Sequence, residues 1–287
     1  MANKTVQDIY TATDSLLRQE GNSSGVPGME ETQTIVWIND LHQQFFDEFT
    51  TAGMNYPPYM KKRKGYTGVS GTYLTADVTS GASSFTVNSS DALDTSGAGV
   101  IYKNSQYDIF THSGNSSGTV SGVSGVDFDH DENEAVTKLY ALPSDFGRFR
   151  IEHDRMTRGE GVRVNATGYT EVPDMPAGTQ FSRYQASDAS WYLWMPQNET
   201  GDILVTYDKK PTSLTLTTST IDIPSSLPDH WYLIYGLAAI FKQVLDETYV
   251  PTKERQQQEM VLKAAMKRAS AGKRIQVSNV YFRRFGS

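Results

Sequence analysis

Residues 223–247 read IPSSLPDHWYLIYGLAAIFKQVLDE. Pro228 and Asp229 open it, and apolar residues then recur at spacings of three and four, which predicts a long amphipathic helix. Asp229 is the candidate N-cap, because its carboxylate can accept from the first free backbone N–H groups. The predicted apolar face comprises Ile234, Leu237, Ala238, Phe241, Val244 and Leu245.

A second C-terminal helix is predicted directly after this one. Pro251 and Thr252 begin TKERQQQEMVLKAAMKRA, and Gly272 ends the pattern. Its apolar stripe is thin, and the rest of its surface is polar. Such a helix packs on its neighbours along one narrow face.

Two further helices are predicted near the N-terminus. In the first, Thr5 and Asp8 have capping-box spacing, and one helical face is predicted to comprise Val6, Ile9, Tyr10, Thr13, Leu16 and Leu17. The second, ETQTIVWINDLHQQFFDEFTTAG, ends before the Tyr-Pro-Pro at residues 56–58. Trp37 and Phe46 widen its apolar face beyond one stripe, which indicates contacts on two sides.

The middle of the chain has the composition of β structure. After the basic MKKRKG at residues 60–65, short alternating runs are separated by Gly- and Ser-rich turns as far as about residue 140. Longer, aromatic-rich runs such as ASWYLWM and GDILVTYDKK follow and predict a second sheet that packs on the helices.

The predicted fold class is therefore α+β: a core of two N-terminal and two C-terminal helices with an antiparallel sheet and an inserted small β-domain. The expected bounds are 1–64 and 141–272 for the helical core with its sheet, 65–140 for the inserted domain, and 273–287 for an extended tail.

Composition narrows the function classes. The chain has no cysteine, which excludes disulfides, thiolate metal sites and cysteine nucleophiles. No apolar run is long enough for a membrane span, and MANKTVQDIY lacks the apolar core of a secretory signal, so we expect no membrane association.

Charge is unevenly distributed along the chain. The net charge is −7, yet nine Lys and Arg face two Glu from Thr252 onward. The tail GKRIQVSNVYFRRFGS combines basic and aromatic side chains. It fits contact with nucleic-acid phosphates, docking on an acidic protein surface with Tyr281, Phe282 and Phe285 as anchors, or a disordered end.

Catalytic and metal motifs are weak. GNSSG occurs at residues 21–25 and 114–118, but neither copy has the strand before and helix after it that a nucleophile elbow needs, so we interpret both as turns. In DFDHDENE, Asp127, Asp129 and Asp131 match the first ligands of a Ca²⁺ loop, whereas Glu132 replaces its glycine and Lys138 its final glutamate. We interpret this stretch as an acidic loop, and we expect no enzyme activity and no cofactor.

Four stretches carry a resemblance to a known family: LPSDFGRFR at 142–150, YLWMPQNETGDILVTYDKKPTSLT at 192–215, the opening stretch at 223–247, and WINDLHQQF at 37–45. Together they resemble the head-to-tail adaptor proteins of tailed bacteriophages, also called connector or head-completion proteins. The resemblance covers about residues 1–60 and 140–287, and its patterns are structural rather than catalytic.

The resemblance implies a virion structural protein, assembled in the host cytoplasm and located at the neck. It implies a homo-oligomeric ring of twelve copies under the portal, around a channel in which DNA is only passing cargo, with a downstream tail or nozzle protein as the next partner. The ring-forming helix faces would include Trp37, Phe46, Tyr232 and Tyr235. The portal-docking residues would be Lys273, Arg274, Ile275, Val277, Val280, Tyr281, Phe282, Arg283, Arg284 and Phe285.

A second hypothesis remains open. A β-rich tail or baseplate protein could use the inserted domain to bind a receptor or glycan. Twelve-fold symmetry would favour the adaptor, and a trimer would favour the receptor binder.

Overall fold

The computed structural model describes most of the chain, and the chain divides into two compact units. The residues described are 3–20, 31–69, 71–103, 106–149, 155–158, 163–166, 180–185, 191–194 and 201–270. The helical unit comprises Met1–Lys61 and Pro211–Ser287, and the β unit comprises Lys62–Lys210.

The helical unit contains the four predicted helices. They are α1 (Val6–Gln19), α2 (Glu31–Thr51), α3 (Trp231–Leu245) and α4 (Thr252–Ser270). Helix α3 is the central element, and α1, α2 and α4 all pack against it. Most of the stretch at 223–247 therefore forms the helix around which the unit is built.

Local sequence explains where α1 begins. The Thr5 hydroxyl accepts from the backbone N–H of Asp8, and the Asp8 carboxylate accepts from the Thr5 N–H at 2.8 Å. This reciprocal pair satisfies N–H groups that would otherwise lack a partner. The helix then buries Val6, Ile9, Thr13 and Leu17, while Tyr10 and Leu16 on the same face are half-buried. The predicted cap and the predicted face are both confirmed.

Aromatic side chains fill the core of the helical unit. Phe45 and Phe49 of α2 and Phe241 of α3 are fully or almost fully buried. The Phe45 ring meets the Phe49 ring edge-on, with centroids 5.5 Å apart. Packing of this density ties α2 firmly to the central helix.

Gly236 lets α2 and α4 approach α3 closely. A Cβ at this position would lie 2.6 Å from Leu41 Cδ2 and 2.7 Å from Gln258 Nε2. We therefore expect Gly236→Val to lower the free energy of unfolding by about 2 kcal/mol, as overpacking of a dense core does. Urea denaturation measures this loss. Adding Leu41→Ala opens space beside the new side chain, so the double variant should lose less than the sum of the two single losses; strict additivity would contradict the steric explanation.

The described part of the β unit contains fourteen strands. They are β1 (Lys61–Val69), β2 (Gly71–Tyr73), β3 (Ser84–Thr86), β4 (Gly97–Lys103), β5 (Gln106–His112), β6 (Gly114–Ser116), β7 (Thr119–Ser121), β8 (Ala135–Ala141), β9 (Phe146–Phe149), β10 (Arg155–Arg158), β11 (Arg163–Ala166), β12 (Gln180–Gln185), β13 (Trp191–Trp194) and β14 (Gly201–Lys209).

These strands form two sheets. Eleven belong to one sheet with the order β1-β14-β10-β11-β12-β13-β8-β4-β5, to which β2 adds at β8 and β9 at β14. Strands β3, β7 and β6 form the second sheet. The described pairings are antiparallel except that of β11 with β12. Four helices with largely antiparallel sheets confirm the predicted α+β class.

The boundary of the second unit lies elsewhere than the sequence indicated. We assigned residues 141–210 to the helical core, but the β unit extends to Lys210. The reason is strand pairing, since β13 pairs with β8 at Tyr192–Ala141 and β9 pairs with β14 at Phe149–Tyr207. The aromatic-rich strands thus continue the sheet begun before residue 141.

Within the described segments, no helix has both the length and the apolar character that crossing a membrane requires.

Candidate functional site

The four side chains predicted to form ring contacts lie in two different environments. Phe46 and Tyr232 are 0% and 3% exposed and belong to the core of the helical unit. The Phe46 ring lies 5.4 Å from that of Tyr56, and the Tyr232 ring lies 5.2 Å from that of Phe45. These contacts correct the expectation for Phe46 and Tyr232, because both rings stabilise their own subunit and leave no surface for a neighbour.

Trp37 and Tyr235 differ from that pair because both are half-buried. Trp37 meets Phe241 edge-on with ring centroids 6.0 Å apart, and Tyr235 lies 5.4 Å from Trp231. Each therefore has one side in the unit and one side in solvent. An amphipathic aromatic in this position suits a contact with another chain.

Exposed aliphatic side chains cluster at the connection between α3 and α4, which we call the α3–α4 corner (residues 244–251). Val244, Leu245 and Val250 are 54%, 46% and 73% exposed. Val244 and Leu245 were predicted to be part of the buried face, but they lie in the last turn of α3, where the helix ends. Neighbouring exposed aliphatics of this kind are typical of interaction surfaces.

Hydrogen bonds hold the corner in a defined conformation. The backbone N–H of Thr248 donates to Asp246 Oδ1 at 2.9 Å, and the N–H of Tyr249 donates to the Asp246 carbonyl at 2.9 Å. The hydroxyl and N–H bonds from Thr248 also hold the pKa of Asp246 below its usual range. These bonds stabilise a turn at the corner.

An ionic network links α1, α3 and α4 beside this corner. Lys242 Nζ donates to Glu20 Oε2 and to Glu254 Oε1, both at 2.6 Å. Lys253 also contacts Glu20, and the Tyr249 hydroxyl donates to Glu254 at 3.1 Å. Glu254 is only 2% exposed, so its charge depends on these donors.

The pKa values of the network show how strongly its charges interact. Burial alone would raise the pKa of Glu254, but the bond from Lys242 and further hydrogen bonds outweigh burial and hold it below its usual range. Burial likewise opposes the charge of Lys242, yet bonds to Glu20 and Glu254 raise its pKa. The bonds from Lys242 and then Lys253 lower the pKa of Glu20.

Asp229 links the start of α3 to the end of α4. It is 1% exposed, and its carboxylate pairs with the Arg268 guanidinium, while the Tyr59 hydroxyl lies 3.5 Å from its other oxygen. Asp229 does not cap α3, because it lies in the 3-10 turn Pro228–His230 ahead of that helix. This corrects its predicted role: the carboxylate joins two helix ends.

The predicted docking residues Lys273 to Phe285 lie outside the described residues, as does the first GNSSG. Helix α4 is described as far as Ser270, and the Asp229–Arg268 pair holds its last turns against the start of α3.

The second GNSSG forms a hairpin between β6 and β7. Ser117 and Gly118 have φ values of 50° and 81°, and the Asn115 amide donates to the carbonyls of Ser90 and Leu93 at 2.8 and 3.1 Å. The prediction of a turn is confirmed for this copy. The Asn115 side chain has a structural role, because it links the hairpin to residues 90–93.

The acidic stretch DFDHDENE surrounds a buried histidine. His130 Nε2 lies 3.0 Å from Asp108 Oδ2, and His130 Nδ1 lies 2.7 Å from Glu134 Oε2. Of the three aspartates that match Ca²⁺-loop positions, Asp129 accepts from the Ser80 N–H and Asp131 pairs with Lys103, so these two carboxylates have different partners. Within the described ranges, no group of three or more His, Asp or Glu side chains is arranged so that it could hold a metal ion.

Sequence reasoning missed the contacts that hold these sites. Glu20 and Lys242 are 222 residues apart, and Asp108 is 22 residues from His130, so no local pattern could reveal either pairing. The spacing of His130 and Glu134 was visible, but it is common in proteins. Comparison with models of known protein families finds no match, and comparison with curated proteins finds none either.

Proposed function

We propose that this chain is a structural protein of a bacteriophage virion, a head-to-tail adaptor whose copies form a ring under the portal and surround the DNA channel. The observation that supports this best is the helical unit, which is built from both ends of the chain and carries a β unit between its second and third helices. Two of the four stretches that resemble the adaptor family, at 37–45 and 223–247, lie in this unit.

A ring of this kind works mechanically, and the helical unit has features suited to that work. Its aromatic core and its ionic network fix α1, α2 and α4 against α3. Half-buried Trp37 and Tyr235 and the exposed aliphatics of the α3–α4 corner offer surfaces for further chains. Rigid elements that carry partly exposed apolar groups need little reordering on binding.

We assign portal docking to the tail, in which Val277, Val280, Tyr281, Phe282 and Phe285 would bury apolar area against the portal and the arginines would lie at the rim of the contact. In this arrangement the portal supplies a groove with acidic residues around it. The ring presents one tail from each of its subunits to the portal. Many tails acting together bind far more tightly than one.

Removal of the tail tests this proposal. A chain ending at Gly272 should keep its fold and lose attachment to portal-containing heads, because the anchors are gone while α4 is complete. Co-sedimentation with DNA-filled heads measures attachment. A full-length variant with Tyr281→Ala, Phe282→Ala and Phe285→Ala should lose it too, whereas Asn279→Ala is the matched control. Undiminished attachment of the truncated chain would refute tail docking.

A second candidate is a tail or baseplate protein that binds a glycan through its β unit. Tyr73 and Phe128 favour it, since these two rings in the β unit are 47% and 51% exposed. Exposed rings of this kind can bury apolar area against a ligand. Particle symmetry discriminates: images of a twelve-fold neck ring support the adaptor, and a trimer at the tail supports the glycan binder.

A further inference from the structure

Helices α2 and α4 carry opposite charge. Helix α2 has four carboxylates, Glu31, Asp40, Asp47 and Glu48, and no Lys or Arg. Helix α4 has five Lys and Arg against two Glu. Both helices pack on α3, so one rigid unit presents both signs.

The charge of α2 lies on its solvent side. Asp40 and Asp47 are exposed, and Val36 is 45% exposed. At about 100° per residue these three positions fall within a narrow sector of the helix, on the opposite side from buried Ile38 and Phe45. We call Val36, Asp40 and Asp47 the α2 face.

The charge of α4 is arranged in the same way. Lys263 and Lys267 are exposed, and Met260, about one helical turn before Lys263, is 69% exposed. They share one side of the helix, while Leu262 and Ala265 are buried on the other. We call Met260, Lys263 and Lys267 the α4 face.

Ion pairs within α4 leave the lysines of the α4 face available to another partner. Lys263 lies 2.6 Å from Glu259, but the two side chains are 68% and 59% exposed. An exposed ion pair one helical turn apart contributes little and exchanges readily for another partner. Each face therefore combines available charge with one exposed apolar side chain.

We propose that the partner of these faces is a second copy of this chain, in which the α2 face of one copy binds the α4 face of the next. The contact joins two different patches, so it is heterologous, and every bound copy keeps one face of each kind for a further neighbour. Repetition closes into a ring if the rotation allows it. This inference deepens the proposed adaptor function and rests on it for the biological role of the ring.

A nucleic acid fits the two faces less well. Phosphates would be attracted to Lys263 and Lys267 but repelled by Asp40 and Asp47 on the same unit. Another copy of the chain satisfies both signs at once and adds apolar contact at Val36 and Met260. Opposite charges arranged in this way favour encounter and disfavour wrong partners.

Charge reversal of each face tests the contact in the full-length chain. The α2 variant is Asp40→Lys with Asp47→Lys, and the α4 variant is Lys263→Glu with Lys267→Glu. Each alone should raise the dissociation constant of self-association more than about tenfold, because like charges then meet. Mixing the two variants, or combining all four changes in one chain, should restore association. Sedimentation velocity at low ionic strength measures the assemblies.

Matched controls place the same change of charge on the β unit. Asp91→Lys with Glu132→Lys, and Lys62→Glu with Arg63→Glu, alter exposed side chains that belong to the β unit and should leave association unchanged. Circular dichroism checks that each variant retains its helices.

Three results would overturn the proposal. They are a wild-type chain that stays monomeric at every concentration tested, reversed variants that associate like the wild type, and single losses that the mixture does not restore. If reversal of the α4 face abolished binding to a DNA duplex and left association intact, nucleic acid would be the partner instead. Restored assemblies that fail to bind portal-containing heads would refute the adaptor function while leaving the self-association established.

Discussion

Replacement of His130 by alanine is expected to lower the stability of the β unit by about 3–5 kcal/mol, the usual loss when one partner of a buried ionic group is removed. His130 is 2% exposed, and its carboxylate neighbours Asp108 and Glu134 are 3% and 7% exposed. Each nitrogen of the His130 ring lies within hydrogen-bond distance of one of these carboxylates. Without the ring, two buried carboxylates lose a donor, and a cavity remains.

The loss should extend to the loop that follows β7. Asp108 Oδ2 accepts from the backbone N–H groups of Asp127 and Phe128 at 2.8 and 2.9 Å, and Glu134 Oε1 accepts from the N–H of Asp131 at 3.1 Å. The cluster therefore attaches this loop to β5. Hydrogen exchange of peptides covering residues 106–141 should accelerate, while exchange in the helical unit should stay as in the wild type.

His112→Ala is the matched control. His112 is 5% exposed in the same unit, and its Nδ1 has no hydrogen-bond partner among the described residues. Its removal costs packing alone, so the change in stability should be clearly smaller than that of His130→Ala. Equal losses for the two variants would show that His130 acts only by filling space.

Lys242→Met is expected to lower the stability of the helical unit by about 2–3 kcal/mol, the scale of hydrogen bonds to charged groups. Methionine keeps most of the volume of lysine but cannot donate. Glu254 would then keep the Tyr249 hydroxyl while losing its cation. Urea denaturation followed by helical circular dichroism measures the change.

The pH dependence of this loss follows from the pKa directions. The pKa values of Glu20 and Glu254 are lowered in the folded chain, so their stabilisation is complete above the ordinary glutamate pKa of about 4.3 and is lost as the pH falls through the lowered values. The pKa of Lys242 is raised, so its share is complete below about 10.4 and is lost as the pH rises further. Lys242→Met should flatten the acid limb of the stability profile.

Lys253→Met distinguishes the contribution of Glu20 from that of Glu254, because Lys253 pairs with Glu20 whereas Lys242 pairs with both. Lys253 contacts Glu20 but is 62% exposed, so solvent screens the pair and its removal should change stability much less than Lys242→Met. A profile for Lys242→Met that kept the full acid limb of the wild type would contradict the assigned linkage.

Periodicity predicted the helices well because the residues of each buried face recur at spacings of three and four within one short segment of sequence. The Thr5–Asp8 cap and the buried positions of α1 needed only neighbouring residues. Side-chain roles that depend on distant partners could not be predicted. Asp229 has the sequence position of a cap, but Arg268, 39 residues later, makes it an ion-pair partner instead.

The candidate assembly residues show the same limit. An aromatic on a helix can face the core or a neighbour, and the sequence of α2 does not distinguish Trp37 from Phe46. Burial separates them, since Phe46 is enclosed by Tyr56 and Phe45. Likewise, the strands after residue 141 have partners far away in the chain, and only register shows that they continue the sheet.

The order in which the chain is synthesised gives the discontinuous helical unit a further consequence. Helices α1 and α2 leave the ribosome long before α3, against which they pack. Their apolar faces therefore lack this packing partner until the whole β unit has been synthesised. The β unit can fold in that interval, and β1 and β14, its first and last strands, are neighbours in the sheet. When the β unit folds, it brings the segments before and after it close together. The effective length of the loop between α2 and α3 is then shorter, which lowers the entropy cost of packing α3 on α2.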